Sequence, residues 1–302
     1  MSEIDLILQA APGSFPLATA VASIAAMAQM AGNSAPTGND ALAGIDTLAT
    51  SAGPAWRFRH VAHTPEVRRR VAAAALVHRL DAAFVPAART LADFKLLVMD
   101  MDSTLITIEC IDEIADLQGL KPQVAAITEA AMRGELVFRD SLLQRVALLA
   151  GLDAGALQRV VDERLQLSPG AEAMLAAVKA AGLKTLLVSG GFTYFTGRMQ
   201  TRLGLDYTRA NELEVVDGKL TGRVLGEIVD AEAKRRTVES TCSLLGITPA
   251  QAIVMGDGAN DLAMMAVAGL SVAFRAKPIV QEKADVALNF VGLDGILALF
   301  DR

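Results

Sequence analysis

Phe94-Lys95-Leu96-Leu97-Val98-Met99-Asp100-Met101-Asp102-Ser103-Thr104 decides how the rest of the chain is read. Apart from Lys95 the run to Met99 is continuously apolar, the pattern of a strand covered on both faces. It ends in two carboxylates spaced two apart, which alternation sends to one side as they leave the sheet. On a surface such a pair is a solvated turn. After a buried strand, two charges need a cation or hydrogen-bond donors to offset their desolvation.

Two later stretches repeat the layout. Leu183 to Val188 runs into Ser189-Gly190-Gly191, and Ala252 to Met255 into Gly256-Asp257-Gly258-Ala259-Asn260-Asp261. From Phe94 onward strands alternate with helices, which predicts a doubly wound, Rossmann-like parallel sheet. Ligands in such sheets gather at the carboxyl ends of the strands, so the three turns converge. Asp100, Asp102, Asp257 and Asp261 then repel one another around one point, and a hard oxygen-seeking cation such as Mg2+ resolves the repulsion. Ser189 and the amides of the following glycines form a turn suited to an anion at a helix start. Lys234, in Asp230-Ala231-Glu232-Ala233-Lys234, is unremarkable when read alone.

The residues between the first two strands, about 109–169, are helical and too long for an ordinary crossover, so they read as an inserted cap. Leu213 to Val216 and Leu220 to Val224 flank Asp217-Gly218, a type I′ hairpin signal. Upstream, residues 1–90 read as a small α+β domain in the order β-α-β-β-α-β, a ferredoxin-like sandwich. Its strands are expected at Asp5 to Ala10, around Ala43 to Ala49, at Ala55 to Ala62 and at Asp81 to Ala87. Helices are expected at Pro16 to Met30 and, capped by Thr64, at Val67 to Arg79, with a loop over Gly32 to Asn39. Amino-acid binding, a homodimer contact and a purely structural role all stay open for it. Residues 91–302 form the second domain.

Composition narrows the chemistry. The 302 residues carry a formal net charge of -6, which gives no basic field for a nucleic acid. A small-molecule substrate fits better. The mean hydropathy of +0.38 comes mainly from alanine and leucine interrupted by charges. The alanine-rich run Ala18 to Ala31 is too short to span a membrane, and no Lys or Arg precedes Arg57, so a secretory leader lacks its positive start. Cys110 and Cys242 show no metal-ligand or disulfide spacing, and a cytoplasmic setting is expected. His60, His63 and His78 all precede the sheet, so chemistry beyond them runs on carboxylates, lysine, hydroxyls or backbone.

The ordered set D-x-D-S-T, S-G-G, a later lysine and G-D-G-x-N-D resembles the phosphatases of the haloacid dehalogenase superfamily, over Phe94 to Arg302. The resemblance implies a phosphomonoester hydrolase with Asp100 as nucleophile and Asp102 as general acid and base. It implies Mg2+ held by Asp100, the Asp102 carbonyl and Asp257, with Asp261 in support through water. Ser189, Gly190 and Lys234 would hold the phosphoryl oxygens, and Asn260 would orient the group.

The cap extends the resemblance to superfamily members that act on O-phospho-L-serine. Glu109 stands nine residues after Asp100, where those enzymes meet the substrate ammonium, and Arg145 stands seven after Phe138, where they meet the carboxylate. Met132 matches a residue that closes over the ligand. The implied reaction releases L-serine and phosphate, the last step of serine biosynthesis. Alternatives are another small phosphomonoester, transfer to another alcohol, or a silent phosphoserine or serine sensor.

Overall fold

The structure is a computed structural model that describes residues 3–14, 18–29, 45–133 and 135–301. The expected loop over Gly32 to Asn39, both ends of the Pro16 to Met30 helix and the side chain of Met132 lie outside the described residues.

The first third folds as β1 (Ile4–Ala10), α1 (Ala18–Gln29), β2 (Ile45–Thr50), β3 (Gly53–Phe58), α2 (Pro65–Val77) and β4 (Leu80–Pro86). Its antiparallel sheet has the order β2-β3-β1-β4, the ferredoxin-like arrangement. Thr64 caps α2 through the Val67 amide, with Pro65 in the first turn.

Alternation along β1 decides where this sheet sits. Ile4, Leu6, Leu8 and Ala10 pack against the apolar faces of α1 and α2. Asp5, Ile7 and Gln9 point the other way, yet they are also buried, against the second half of the chain. Polar partners make the burial of Asp5 tolerable, whereas Gln9 Oε1 finds none among the described residues. Arg57 bonds Asp5 at 2.9 Å and the Ala298 carbonyl at 3.2 Å, and Asp81 accepts the amides of Asn289, Phe290 and Val291.

The second half contains β5 (Leu96–Met99), β6 (Lys184–Phe192), β7 (Tyr207–Val216), β8 (Lys219–Leu225), β9 (Ala252–Gly256), β10 (Leu270–Phe274) and β11 (Val286–Leu288). They form one sheet ordered β11-β10-β9-β5-β6-β7-β8, parallel except for the β7–β8 hairpin. Leu97 and Met99 of β5 join one core cluster and Leu96 and Val98 the other, which is why this strand is apolar throughout. Strands β10 and β11 extend the sheet beyond the three strands and the hairpin expected from sequence.

Between β5 and β6 come α3 (Cys110–Asp116), α4 (Lys121–Met132), α5 (Phe138–Ala147) and α6 (Gly155–Glu163), the inserted helical cap. The remaining helices are α7 (Ala171–Ala180), α8 (Thr193–Leu203), α9 (Ala231–Leu245), α10 (Leu262–Met265) and α11 (Pro278–Lys283). Among the described residues no helix is long and apolar enough to cross a membrane.

Asp217 and Gly218 both have positive φ, 50° and 74°, the geometry of the type I′ turn read from Asp-Gly. The hairpin also braces the cap. Gly151 donates to the Leu220 carbonyl, Leu220 to that of Leu152, and Ala154 to that of Gly218, each at 2.8 Å. Gly222, at φ +80°, sits so close to α5 that a Cβ would meet that of Ala150 at 2.9 Å.

Candidate active site

Ladder hydrogen bonding carries Asp100 out of β5, its amide donating to the Met255 carbonyl at 3.0 Å. The chain then turns sharply over Met101 to Leu105, with the Leu105 and Ile106 amides reaching back to the carbonyls of Asp100 and Met101. Ser103 takes φ +57° in this turn, a strained position for a side chain with a Cβ. Its hydroxyl donates to Glu109 Oε1 at 2.7 Å.

Beneath Asp100 lies Lys234, fully buried on α9. Its Nζ is 2.8 Å from Asp100 Oδ1 and 2.8 Å from Asp261 Oδ1. Burial by itself would lower the lysine pKa, but Asp100 and Asp261 outweigh it and raise the group above its ordinary value. Asp261 uses its other oxygen for the Asp257 and Gly258 amides at 3.2 and 3.1 Å. Gly256 leaves room for that carboxylate, since a Cβ there would fall 2.3 Å from Asp261 Oδ2. Thr104 donates to Asp257 Oδ1 at 3.2 Å.

One ammonium does not balance this many carboxylates. Burial and then the charge of Asp261 push Asp100 well above the usual carboxylate range, and the same two causes lift Asp257 to about 6. Asp102 rises to about 7, first from burial and then from Glu109. Its Oδ2 accepts the Cys110 amide at 3.3 Å, whereas its Oδ1 is buried without a partner among the described residues. A carboxyl that keeps its proton near neutrality in this position can serve as an acid.

Asp100, Asp257 and Asp261 each place an oxygen within 4.8 Å of the others. All three donors are hard oxygens in a buried group with surplus negative charge, which fits a small divalent cation.

The Ser189-Gly190-Gly191 segment differs from the expected turn. It continues β6 as a bulged strand end, with a register shift between Val188 and Phe192. The buried amide of Asn211 spans this bulge, donating to the Gly190 carbonyl and accepting from the Val229 amide, both at 2.8 Å. Asn211 has no motif of its own in the sequence. Gly190 also admits the cap, because a Cβ there would come within 3.0 Å of Phe138 Cζ.

Above these residues is a cavity of about 720 Å³. It is lined by Asp100, Asp102, Glu109, Phe138, Arg145, Ser189, Gly190, Asp257 and Asn260, so the structure gathers nearly all the residues singled out from sequence. Lys234 and Asp261 lie just below, bonded to the floor. Arg145 donates Nε to the Ser141 carbonyl of its own helix. Burial lowers its pKa, while Asp112 and then Glu109 oppose that shift. Burial raises Glu109, with Ser103 opposing. Sequence reading missed Asp112 and Lys277, which also line the cavity.

A parallel sheet with an aspartate at the tip of its central strand, a buried lysine beside it and acidic groups on the neighbouring strand defines a phosphoryl-transfer hydrolase. The chain belongs to the haloacid dehalogenase-like hydrolases, whose family pattern matches residues 94–269. A phosphoserine phosphatase of Polaromonas sp. is 59% identical over 214 residues, covering 69% of this chain and 91% of that protein. Among solved structures, a HAD family hydrolase of Salmonella enterica subsp. enterica serovar Typhi aligns with a TM-score of 0.84 at 31% identity, over 98% of this chain and 99% of that one. A substrate-bound phosphoserine phosphatase complex aligns with a TM-score of 0.65 at 41% identity, over 69% of this chain and 99% of the other.

Proposed function

We infer that this chain hydrolyses O-phospho-L-serine to L-serine and phosphate through an aspartyl-phosphate on Asp100. The observation carrying this reading is that Glu109 and Arg145 face one cavity whose floor is Asp100. A zwitterion seated there meets a carboxylate at its ammonium and a guanidinium fork at its carboxylate. The names of the relatives support the same substrate.

In the proposed sequence an Asp100 oxygen bonds to phosphorus as the bond to the serine oxygen breaks. Asp102 gives its proton to that departing oxygen. Ser189, the Gly190 amide and Lys234 hold the phosphoryl oxygens as charge shifts, and Asn260 orients the group. Asp102, now ionised, takes a proton from the water that attacks phosphorus. Phosphate leaves, and Asp100 is regenerated.

Mg2+ held by Asp100, Asp257 and the Asp102 carbonyl would supply positive charge against the repulsion between carboxylate and phosphate. Asp261 suits outer support, since both its oxygens are already committed to Lys234 and to two amides. We further propose residues 1–90 and 91–302 as two units, with the cap at about 109–169, in a cytoplasmic enzyme. Two free, buried cysteines are compatible with a reducing compartment.

The test is phosphate release from a panel of small phosphomonoesters, with and without EDTA. O-phospho-L-serine is expected to turn over fastest, to stop with chelator and to recover with added Mg2+. Turnover indifferent to EDTA, or phosphoethanolamine as the best substrate, would sink the reading.

A further inference from the structure

The reaction above leaves one cation of the cavity without a task. Lys277 follows β10 and opens α11, on the sheet side of the pocket. Its main chain is fixed: the amide donates to the Asp257 carbonyl at 3.1 Å, and the carbonyl accepts the Val280 and Gln281 amides. Gln281 also holds the Ala276 carbonyl at 2.7 Å. A fixed main chain thus carries an exposed side chain at the cavity wall. Both residues line the one cavity, and the positive charge of Lys277 opposes the rise that burial imposes on Glu109.

The charges lining the cavity beyond the phosphate floor form a set of four. Glu109 and Asp112 are acidic, and Arg145 and Lys277 are basic. Such a set is neutral and suits a leaving group that is itself neutral as a zwitterion. With Arg145 alone against two carboxylates, the same region would carry a net negative charge and favour a plain ammonium.

Resting on the phosphoserine reading, we propose that Lys277 is a specificity-determining residue that tempers Glu109 from across the pocket, so that the enzyme selects an amino acid phosphate over a simple amine phosphate. It acts through the field at the leaving-group end rather than by holding the phosphate.

The experiment compares kcat/KM of the full chain with Mg2+ for three substrates whose leaving ends differ by one charge. Phosphoethanolamine carries an ammonium, O-phospho-L-serine an ammonium and a carboxylate, and 3-phosphoglycerate a carboxylate with a hydroxyl in place of the ammonium. Lys277→Met is expected to shift preference toward the more positive leaving group by ~5-fold per unit charge. Phosphoserine then loses to phosphoethanolamine, and 3-phosphoglycerate loses to phosphoserine. Lys277→Arg is expected to restore the wild-type ratios. An equal fall for all three substrates would overturn the proposal, as would equal losses for phosphoserine and 3-phosphoglycerate with phosphoethanolamine unchanged. A wild-type chain inert toward phosphoserine overturns the substrate reading and this inference with it. A wild type active on phosphoserine, with ratios unmoved in Lys277→Met, overturns this inference alone.

Discussion

Among the described residues, two buried ionic clusters partner their carboxylates in opposite ways. Under the N-terminal sheet, Asp5 receives two guanidinium groups, Arg57 at 2.9 Å and Arg59 at 3.4 Å, and the His60 amide as well. At the active site, Lys234 is shared by two carboxylates, with Asp102 and Asp257 close by. In the first cluster Asp5 is saturated with donors, and the outer of its two arginines, Arg59, is partly exposed and shared with Asp46 and Asp301. The second is short of positive charge, a debt settled only by a cation and by folding energy from elsewhere in the chain. A buried ion pair therefore says little until the charges around it are counted.

The largest effect should come from Asp100→Asn. It removes the nucleophile, and phosphate release from phosphoserine should fall by about 10³-fold or more. Because it also relieves crowding among carboxylates, the metal-free protein should melt at a higher temperature than wild type. Asp5→Asn should do the reverse, lowering the melting temperature with kcat unchanged. If both variants melt lower, the contrast between the clusters fails.

Arg57→Met comes next. It strands Asp5 against Arg59 alone and should cost about 3–5 kcal/mol in denaturant unfolding. A loss near zero would mean that water reaches Asp5.

Arg145→Ala sharpens the comparison from the cap. Among the described residues its guanidinium has no carboxylate locked onto it, so its loss should leave the fold intact. It should lower kcat/KM for phosphoserine ~10- to 100-fold more than for phosphoethanolamine. Equal losses on both substrates would remove the argument for a carboxylate contact.

The smallest effect belongs to Asp206, a surface pair of the ordinary kind. Partial burial opposes its ionisation, but Lys184 and the amide and hydroxyl of Thr185 prevail, and its pKa is lowered. A carboxylate lowered on folding stabilises above its unfolded value and loses that contribution as pH falls through the folded one. Asp206→Asn should cost about 1 kcal/mol at neutral pH after allowing for solvent screening. The difference from wild type should shrink as pH falls below the ordinary aspartate value of 3.8. A difference independent of pH would assign the effect to packing.

The catalytic floor was legible because each of its residues follows an apolar strand inside a compact motif. Asp100, Ser189 and Asp257 could be placed by strand ends alone. Glu109 and Arg145 needed the family's spacing, since nothing local distinguishes a cap charge that meets a ligand from one that meets water. Lys277 and Asn211 were invisible: one sits in a plain Ala-Lys-Pro, the other in the interior of β7, and only the fold brings them to the site. Strands β10 and β11 were missed because short apolar runs look alike in helices and strands. The polar residues of β1, β3 and β4 hide most from pattern reading. Alternation suggests a wet face, but Arg57 and Asp81 bond polar groups across the interface, and Asp5 pairs with Arg57.

The three main-chain bonds between the β7–β8 hairpin and the α5–α6 link of the cap constrain how this enzyme opens. A door fixed along one jamb swings from the other. Residues 151–154 are the fixed jamb, whereas Thr128, Ala131 and Leu136, from α4 and the segment before α5, line the cavity with no main-chain bond to the hairpin among the described residues. Opening is therefore expected at α4 rather than by lifting of the whole lid.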